Sequence, residues 1–450
     1  TSDLEQALIH SLKHRYPEKE SNGDPMTWVK QYASEMRKIY NQFPEDPDVV
    51  TLTAEALMNP TPWELWDLKT GEIADGANTA EAMIMLEGAL NRIDGTDQEK
   101  HPGLLHMYIH LMEMSPYPER ALKAADQLRD LVPDAGHLQH MPTHIDVLCG
   151  HYQTVVDSNE AAIVADRKFL EREGPLNFYS LYRCHNYHFK IYGAMFLGQY
   201  NTAIKTANEM ISTLPAELLK VETPPMADWL EGFISIKQHV LIRFGRWEEI
   251  IAQQLPADQE LFCVTTAMIH YSKAVANASI GEIDSANNDA ILFKNAFLKV
   301  PESRYIFNNT CLDILAVAQE MMLGEIEYRM GNFDAAFLHL RKSVELDDNL
   351  PYDEPWAWMQ PTRHALGALL LEQNRIEEAT EIYRADLGYN KTLSRACQHP
   401  DNIWSLHGYH ECLVRLGKHA EAEIVEQRLK LANARTDIPV TASCFCRMDT

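Results

Sequence analysis

Apolar residues recur every three or four positions through Leu312 to Met330 and again through Phe333 to Leu346. That spacing lays one face of a helix against a core. No run alternates strictly between apolar and polar residues, so no sheet is expected. The helical stretches are punctuated by one short pattern: a Gly or Asn, any residue, then usually a bulky apolar residue. It stands at Gly150-His-Tyr152, Gly198-Gln-Tyr200, Gly245-Arg-Trp247, Gly281-Glu-Ile283, Gly331-Asn-Phe333, Asn374-Arg-Ile376 and Gly417-Lys-His419. Gly and Asn accept the left-handed conformation that closes a helix, and the bulky residue packs the next helix back against it. Small residues follow where two helices would cross closely: Ala203, Ala335 and Ala336, Ala379, and Ala420.

The seven turns are 36 to 50 residues apart, and in this pattern the chain resembles the tetratricopeptide repeat (TPR) family in a divergent form with long helices and loops. The resemblance covers about residues 100 to 433. It implies an all-α fold, a right-handed superhelix of antiparallel helical hairpins (a TPR-like α-solenoid) with a concave face lined by the first helix of each pair. Residues 1–100 are expected to supply N-terminal capping helices, two or three of them between Asp24 and Asn91. Residues 101–433 are read as the repeat array, beginning with a hairpin over Pro102 to Val132 that turns at Ser115-Pro-Tyr-Pro118. Residues 434–450 are read as a non-repeat tail that forms a cap or a strap and is exposed at its two cysteines.

Composition adds exclusions. The balance of 40 Lys and Arg against 65 Asp and Glu leaves a net charge of −25, which argues against binding nucleic acid or an anionic membrane. No apolar stretch approaches a membrane span. Eight scattered cysteines suggest no disulfide framework and a cytoplasmic location. The pair Cys444 and Cys446 is read as a possible soft-metal ligand pair or lid and kept apart from the site. There is no Gly-rich phosphate loop, Gly-x-Ser-x-Gly elbow, His-Glu-x-x-His or kinase catalytic triplet.

The histidines carry the chemistry. Nine of 19 fall between His101 and His188, more than twice an even share. In the register that the TPR resemblance implies, His137, His140 and His144 precede Gly150 at concave positions, and His185 and His188 precede Gly198 in the same way. With Ala121 as the small residue of its second helix, the first hairpin contributes His106, His110 and Glu113. These last three also stand at i, i+4 and i+7, one stripe of a helix, where two imidazoles a turn apart can share a metal. Pro142 interrupts the second set, so its helix is expected to begin near Pro142, with His137 and His140 on the segment leading into it. The remaining isolated histidines (His10, His14, His151, His270, His339 and His419) read as ordinary surface or core residues.

His106, His110, His137, His140, His144, His185 and His188 are therefore the expected ligands of a transition metal. Copper fits a nitrogen-rich set, with iron or zinc as alternatives. Glu113 and Arg183 are the candidate catalytic groups, and Tyr182, Tyr187, Trp356, Trp358, Arg363, His364 and His407 the candidate substrate contacts. Trp63, Trp66, His239 and Glu411 join this list more loosely. The resulting expectation is a metal-dependent enzyme acting on a small molecule, a copper or iron oxidoreductase. A zinc hydrolase with Glu113 as general base is one alternative. The other is a non-catalytic scaffold that binds a peptide or protein partner, the common use of such repeats.

Overall fold

A computed structural model describes residues 2–16 and 24–447 of the chain. It is mostly helical, with almost no sheet among the described residues. Two compact units are present, one formed by Thr1–Cys149 with Ser394–Ala396, the other by Gly150–Leu393 with Cys397–Thr450. The boundary therefore falls inside the stretch that the sequence reads as a single array from 101 to 433.

In the first unit the helices are Asp3–Arg15, Pro25–Gln42, Pro47–Met58, Thr79–Ile93, Pro102–Glu113, Leu122–Leu128, Gly136–His140 and Thr143–Leu148. Their starts are written in the sequence. Asp24 and Asp46 each cap a helix whose first residue is Pro, and Asp46 accepts from the Val49 N–H at 3.0 Å. Three helices lie between Asp24 and Asn91, as expected. Met36, Val50, Leu57, Leu86, Leu105, Ile109, Ala125 and Ile145 share one buried core. Ala121, the last residue of a single turn of 3-10 helix, Pro118–Ala121, is fully buried.

Helical pairs build the second unit. All seven turn residues from Gly150 to Gly417, Asn374 included, have positive φ, between 59° and 86°. The residue two places after each one opens a helix: Tyr152, Tyr200, Trp247, Ile283, Phe333, Ile376 and His419. The fifth residue after each turn is buried: Val155, Ala203, Ile250, Ala286, Ala336, Ala379 and Ala422. This corrects one expectation, because Ala420 is exposed and Ala422 makes the close crossing. Glycines on the facing helices do the same work from the other side. A Cβ on Gly367 or Gly408 would lie 2.6 or 2.1 Å from the Tyr383 ring.

Two further corrections concern the absence of strands and the exposure of the tail. A two-residue hairpin pairs Tyr305–Ile306 with Asn309–Thr310, turning at Phe307, whose φ is 47°. The tail is a strap, as expected, but Val440, Ala442, Ser443 and Cys446 are buried rather than exposed. Tyr383 and Ser443 hydroxyls bond at 2.6 Å, the Phe445 ring packs 5.8 Å from that of Trp404, Arg447 pairs with Glu411 at 2.6 Å, and Arg329 donates to the Cys446 carbonyl. Cys444 and Cys446 are joined as a disulfide, and the other six thiols are free. Apolar Val440, Ala442 and Phe445, at every second or third position, give the strap a face to bury, which composition alone had hidden. Among the described residues no helix is long and apolar enough to cross a membrane.

Candidate metal centre

Helix Pro102–Glu113 starts because His101 Nδ1 accepts from the Leu104 N–H at 3.3 Å and Pro102 fits the first helical position. It ends at Glu113, before Pro116 and Pro118. Its inner stripe presents His106, His110 and Glu113. Trp66 steadies this stripe, donating its indole N–H to the Leu111 carbonyl at 2.7 Å. The second strip of ligands comes from a broken helix. Pro142 has no N–H to continue the ladder, so Gly136–His140 forms one piece and Thr143–Leu148 another. The break falls where the sequence placed it. The lead-in segment, however, is itself helical, and carries His137 and His140.

These pieces bring five imidazoles into one contiguous array inside the first unit. Neighbouring ring centroids are 4.8 Å apart for His106 and His110, 4.9 Å for His106 and His137, 6.2 Å for His137 and His140, 4.7 Å for His140 and His144, and 5.5 Å for His110 and His144. The ring nitrogens face one another. His106 Nε2 lies 3.1 Å from His137 Nε2, and His140 Nε2 lies 2.7 Å from His144 Nε2. Ligand atoms of His106, His110 and His137 all fall within 4.8 Å of each other.

Glu113 ties the two strips together. One carboxylate oxygen lies 2.8 Å from His110 Nδ1, and the other takes His144 Nδ1 in a very short contact. A carboxylate on Nδ1 fixes the ring and leaves Nε2 for a metal, the carboxylate–histidine–metal arrangement. Burial, together with His110, His137 and His140, holds His106 well below the ordinary imidazole range. Burial and His110 push His137 down to about 4. Both are therefore neutral at pH 7, the state in which imidazole ligates. His140 and His144 are fully buried, with Thr143 Oγ1 3.4 Å from His140 Nδ1.

The other two expected ligands, His185 and His188, lie on helix Ser180–Leu197 of the second unit. There His185 packs edge-on against Phe189 and Phe307, and His188 Nε2 stands 2.6 Å from Met359 Sδ. Arg183 is buried and donates one N–H to Ser180 Oγ at 2.8 Å. Tyr182 is exposed and stacks on Tyr179, and Tyr187 donates to Glu209 at 3.0 Å. Trp356 donates to Asp347 at 3.1 Å, Arg363 pairs with Asp348, and Trp358 is buried beside His239. His407 is half-buried, next to Asn433. The isolated histidines behave as expected: His10 bonds a backbone carbonyl, His270 pairs with Asp289 and His339 with Glu320.

One polar cluster in the second unit escaped sequence reading. Asp386, fully buried, accepts from His364 Nε2 and His399 Nδ1 at 2.8 Å each, from Asn402 at 2.9 Å and from Ser405 at 2.5 Å. Arg243 donates to His364 Nδ1, and Tyr192 bonds His399 Nε2 at 3.0 Å. Burial pushes the Asp386 carboxyl up, and His364 and His399 more than reverse this, holding it well below the usual carboxylate range. Burial pushes His364 down to about 4 against the pull of Asp386. No protein-family model matches the chain, and no curated protein is significantly similar to it.

Proposed function

We propose that this chain is a metal-dependent enzyme, a copper or iron oxidoreductase acting on a small molecule, built on a TPR-like superhelix of antiparallel hairpins. His106, His110, His137, His140 and His144 of the first unit are the metal ligands, and Glu113 is their orienting carboxylate. The observation that carries the reading is the facing of nitrogen to nitrogen: two Nε2 pairs at 3.1 and 2.7 Å. Two nitrogens bound to one ion at about 2.0–2.1 Å stand about 3 Å apart. Without an ion, two imidazole nitrogens that face each other can place only one proton between them.

Nitrogen-only donors suit copper, which supplies one-electron redox chemistry when bound. The hydrolytic alternative needs a carboxylate free to take a proton from a metal-activated water. Both oxygens of Glu113 lie on Nδ1 atoms instead, which favours the redox reading. The regular turns, with their positive φ and constant buried fifth residue, support the repeat scaffold.

Elemental analysis of the purified protein tests the proposal, alongside a His140→Ala, His144→Ala double variant. Stoichiometric copper or iron that falls at least tenfold in the variant is the expected result. Stoichiometric zinc would move the reading to the hydrolase. Absence of any metal would leave a docking scaffold, with basic peptides as the natural partner of so acidic a chain.

A further inference from the structure

We propose that the second unit holds a soft-metal site of its own, in which His188, His239 and Met359 bind monovalent copper. Three segments supply the ligands: helix Ser180–Leu197 carries His188, helix Ile236–Arg243 carries His239, and the irregular stretch before helix Thr362–Glu372 carries Met359. All three side chains, and the neighbouring Trp358 and Tyr271, are at most 2% exposed.

Buried polar atoms in folded proteins almost always find partners, so a group of orphans in one place asks for a ligand. Here four lie together: His188 Nδ1, His239 Nδ1, Trp358 Nε1 and the Tyr271 hydroxyl have no hydrogen-bond partner. The rings that bear them are neighbours. His239 lies 4.6 Å edge-on from Trp358, and Tyr271 lies 5.8 Å from Trp358. His239 is near enough to oppose a positive charge on His188. The Asp386 cluster of the same unit makes a contrast, since its buried carboxylate meets four side-chain donors.

The sharpest feature is the 2.6 Å approach of His188 Nε2 to Met359 Sδ. A thioether is a weak acceptor. Spending the single imidazole proton on it strands the Nδ1 lone pair beside Phe233, whose ring is 5.5 Å away, at a cost that buried polar groups normally avoid. An ion bound by both at about 2.0 Å to nitrogen and 2.3 Å to sulfur would hold the two atoms about 3.5 Å apart, a separation the flexible Met359 side chain can reach, and would relieve the close approach. Two neutral imidazoles and a thioether bring no charge and one soft donor, which selects cuprous copper over zinc, iron or magnesium. Tyr271 also lines a cavity with Gln360, Cys444 and Cys446, so one aromatic ring separates the cluster from space through which an ion can arrive.

The site is tested with Cu(I) on the full chain, stripped of metal and kept anaerobic, by competition against a chromogenic Cu(I) chelator and by X-ray absorption at the copper edge. Met359→Leu keeps the side-chain volume and the fold. The expected result is a sulfur scatterer in the wild type that Met359→Leu loses, with at least tenfold weaker binding of one Cu(I) and an unchanged melting temperature. The same loss is expected when Met359→Leu is placed in the His140→Ala, His144→Ala background. The soft site therefore stands or falls independently of the first-unit array. Equal Cu(I) affinity in wild type and Met359→Leu, or a copper shell without sulfur, would overturn it.

Discussion

Two polar interiors in this molecule use the same residue type to opposite ends. Around Asp386 each imidazole meets a partner of complementary character: His364 lies between a carboxylate and Arg243, His399 between the same carboxylate and Tyr192. In the first unit imidazole faces imidazole, and one carboxylate reaches two rings at their Nδ1 atoms. The closed network is complete as it stands and holds hairpins together. The first-unit array aims the Nε2 atoms of two histidine pairs at one another, and that facing is what carries the metal proposal. Histidine count does not distinguish the two; the atom each nitrogen faces does.

The contrast is broken most violently at Asp386. Asp386→Ala leaves Arg243 buried and His364, His399, Asn402 and Ser405 without their common acceptor, so stability to urea is expected to fall by about 3–5 kcal/mol. An unfolding midpoint unchanged by this substitution would mean that the network is not structural. Glu113→Gln should act on metal rather than on folding, because removing an orienting carboxylate typically weakens metal binding by about 10–100-fold. Equilibrium titration of the stripped protein with Cu(II) or Zn(II) reads this directly. A large loss of stability with unchanged metal affinity would reverse the roles assigned to the two regions.

Acid sharpens the comparison next. His364 has a folded pKa of about 4 against the ordinary 6.5, so below pH 6.5 the unfolded chain takes up the proton first. Stability from this residue is complete above pH 6.5 and is lost as pH falls toward 4, about 3 kcal/mol in all. Urea midpoints measured from pH 7 to 5 should fall, and His364→Gln should flatten the slope. The smallest effect belongs to a paired surface histidine. His339→Ala removes a half-exposed pair with Glu320 and should change stability by less than about 1 kcal/mol, with no change in bound metal.

Much of this was legible from residues. The seven turns could be read because Gly and Asn mark positive φ, and the ring of buried fifth residues followed; Ala420 was misplaced only because His419, unlike Tyr200 or Phe333, gives no bulky apolar marker from which to count. His106, His110 and Glu113 share a helical stripe by spacing alone. The bond from Glu113 to His144 was not legible, since it depends on the path the chain takes around Pro142. Asp386 left no trace, because its partners arrive from helices and loops separated by 13 to 22 residues and each looks ordinary where it stands. That the strap would be buried over residues 440–446 was hidden by its shortness, as a few apolar residues carry no periodicity.

The central claim is that the first-unit imidazoles hold a transition metal through their nitrogens. X-ray absorption at the edge of the metal that copurifies with the protein tests it most directly. The expected spectrum has a first shell of at least three nitrogen scatterers with the outer-shell pattern of imidazole, depleted when His106 and His137 are both changed to Ala. A first shell lacking imidazole, or one indifferent to those two changes, would contradict it.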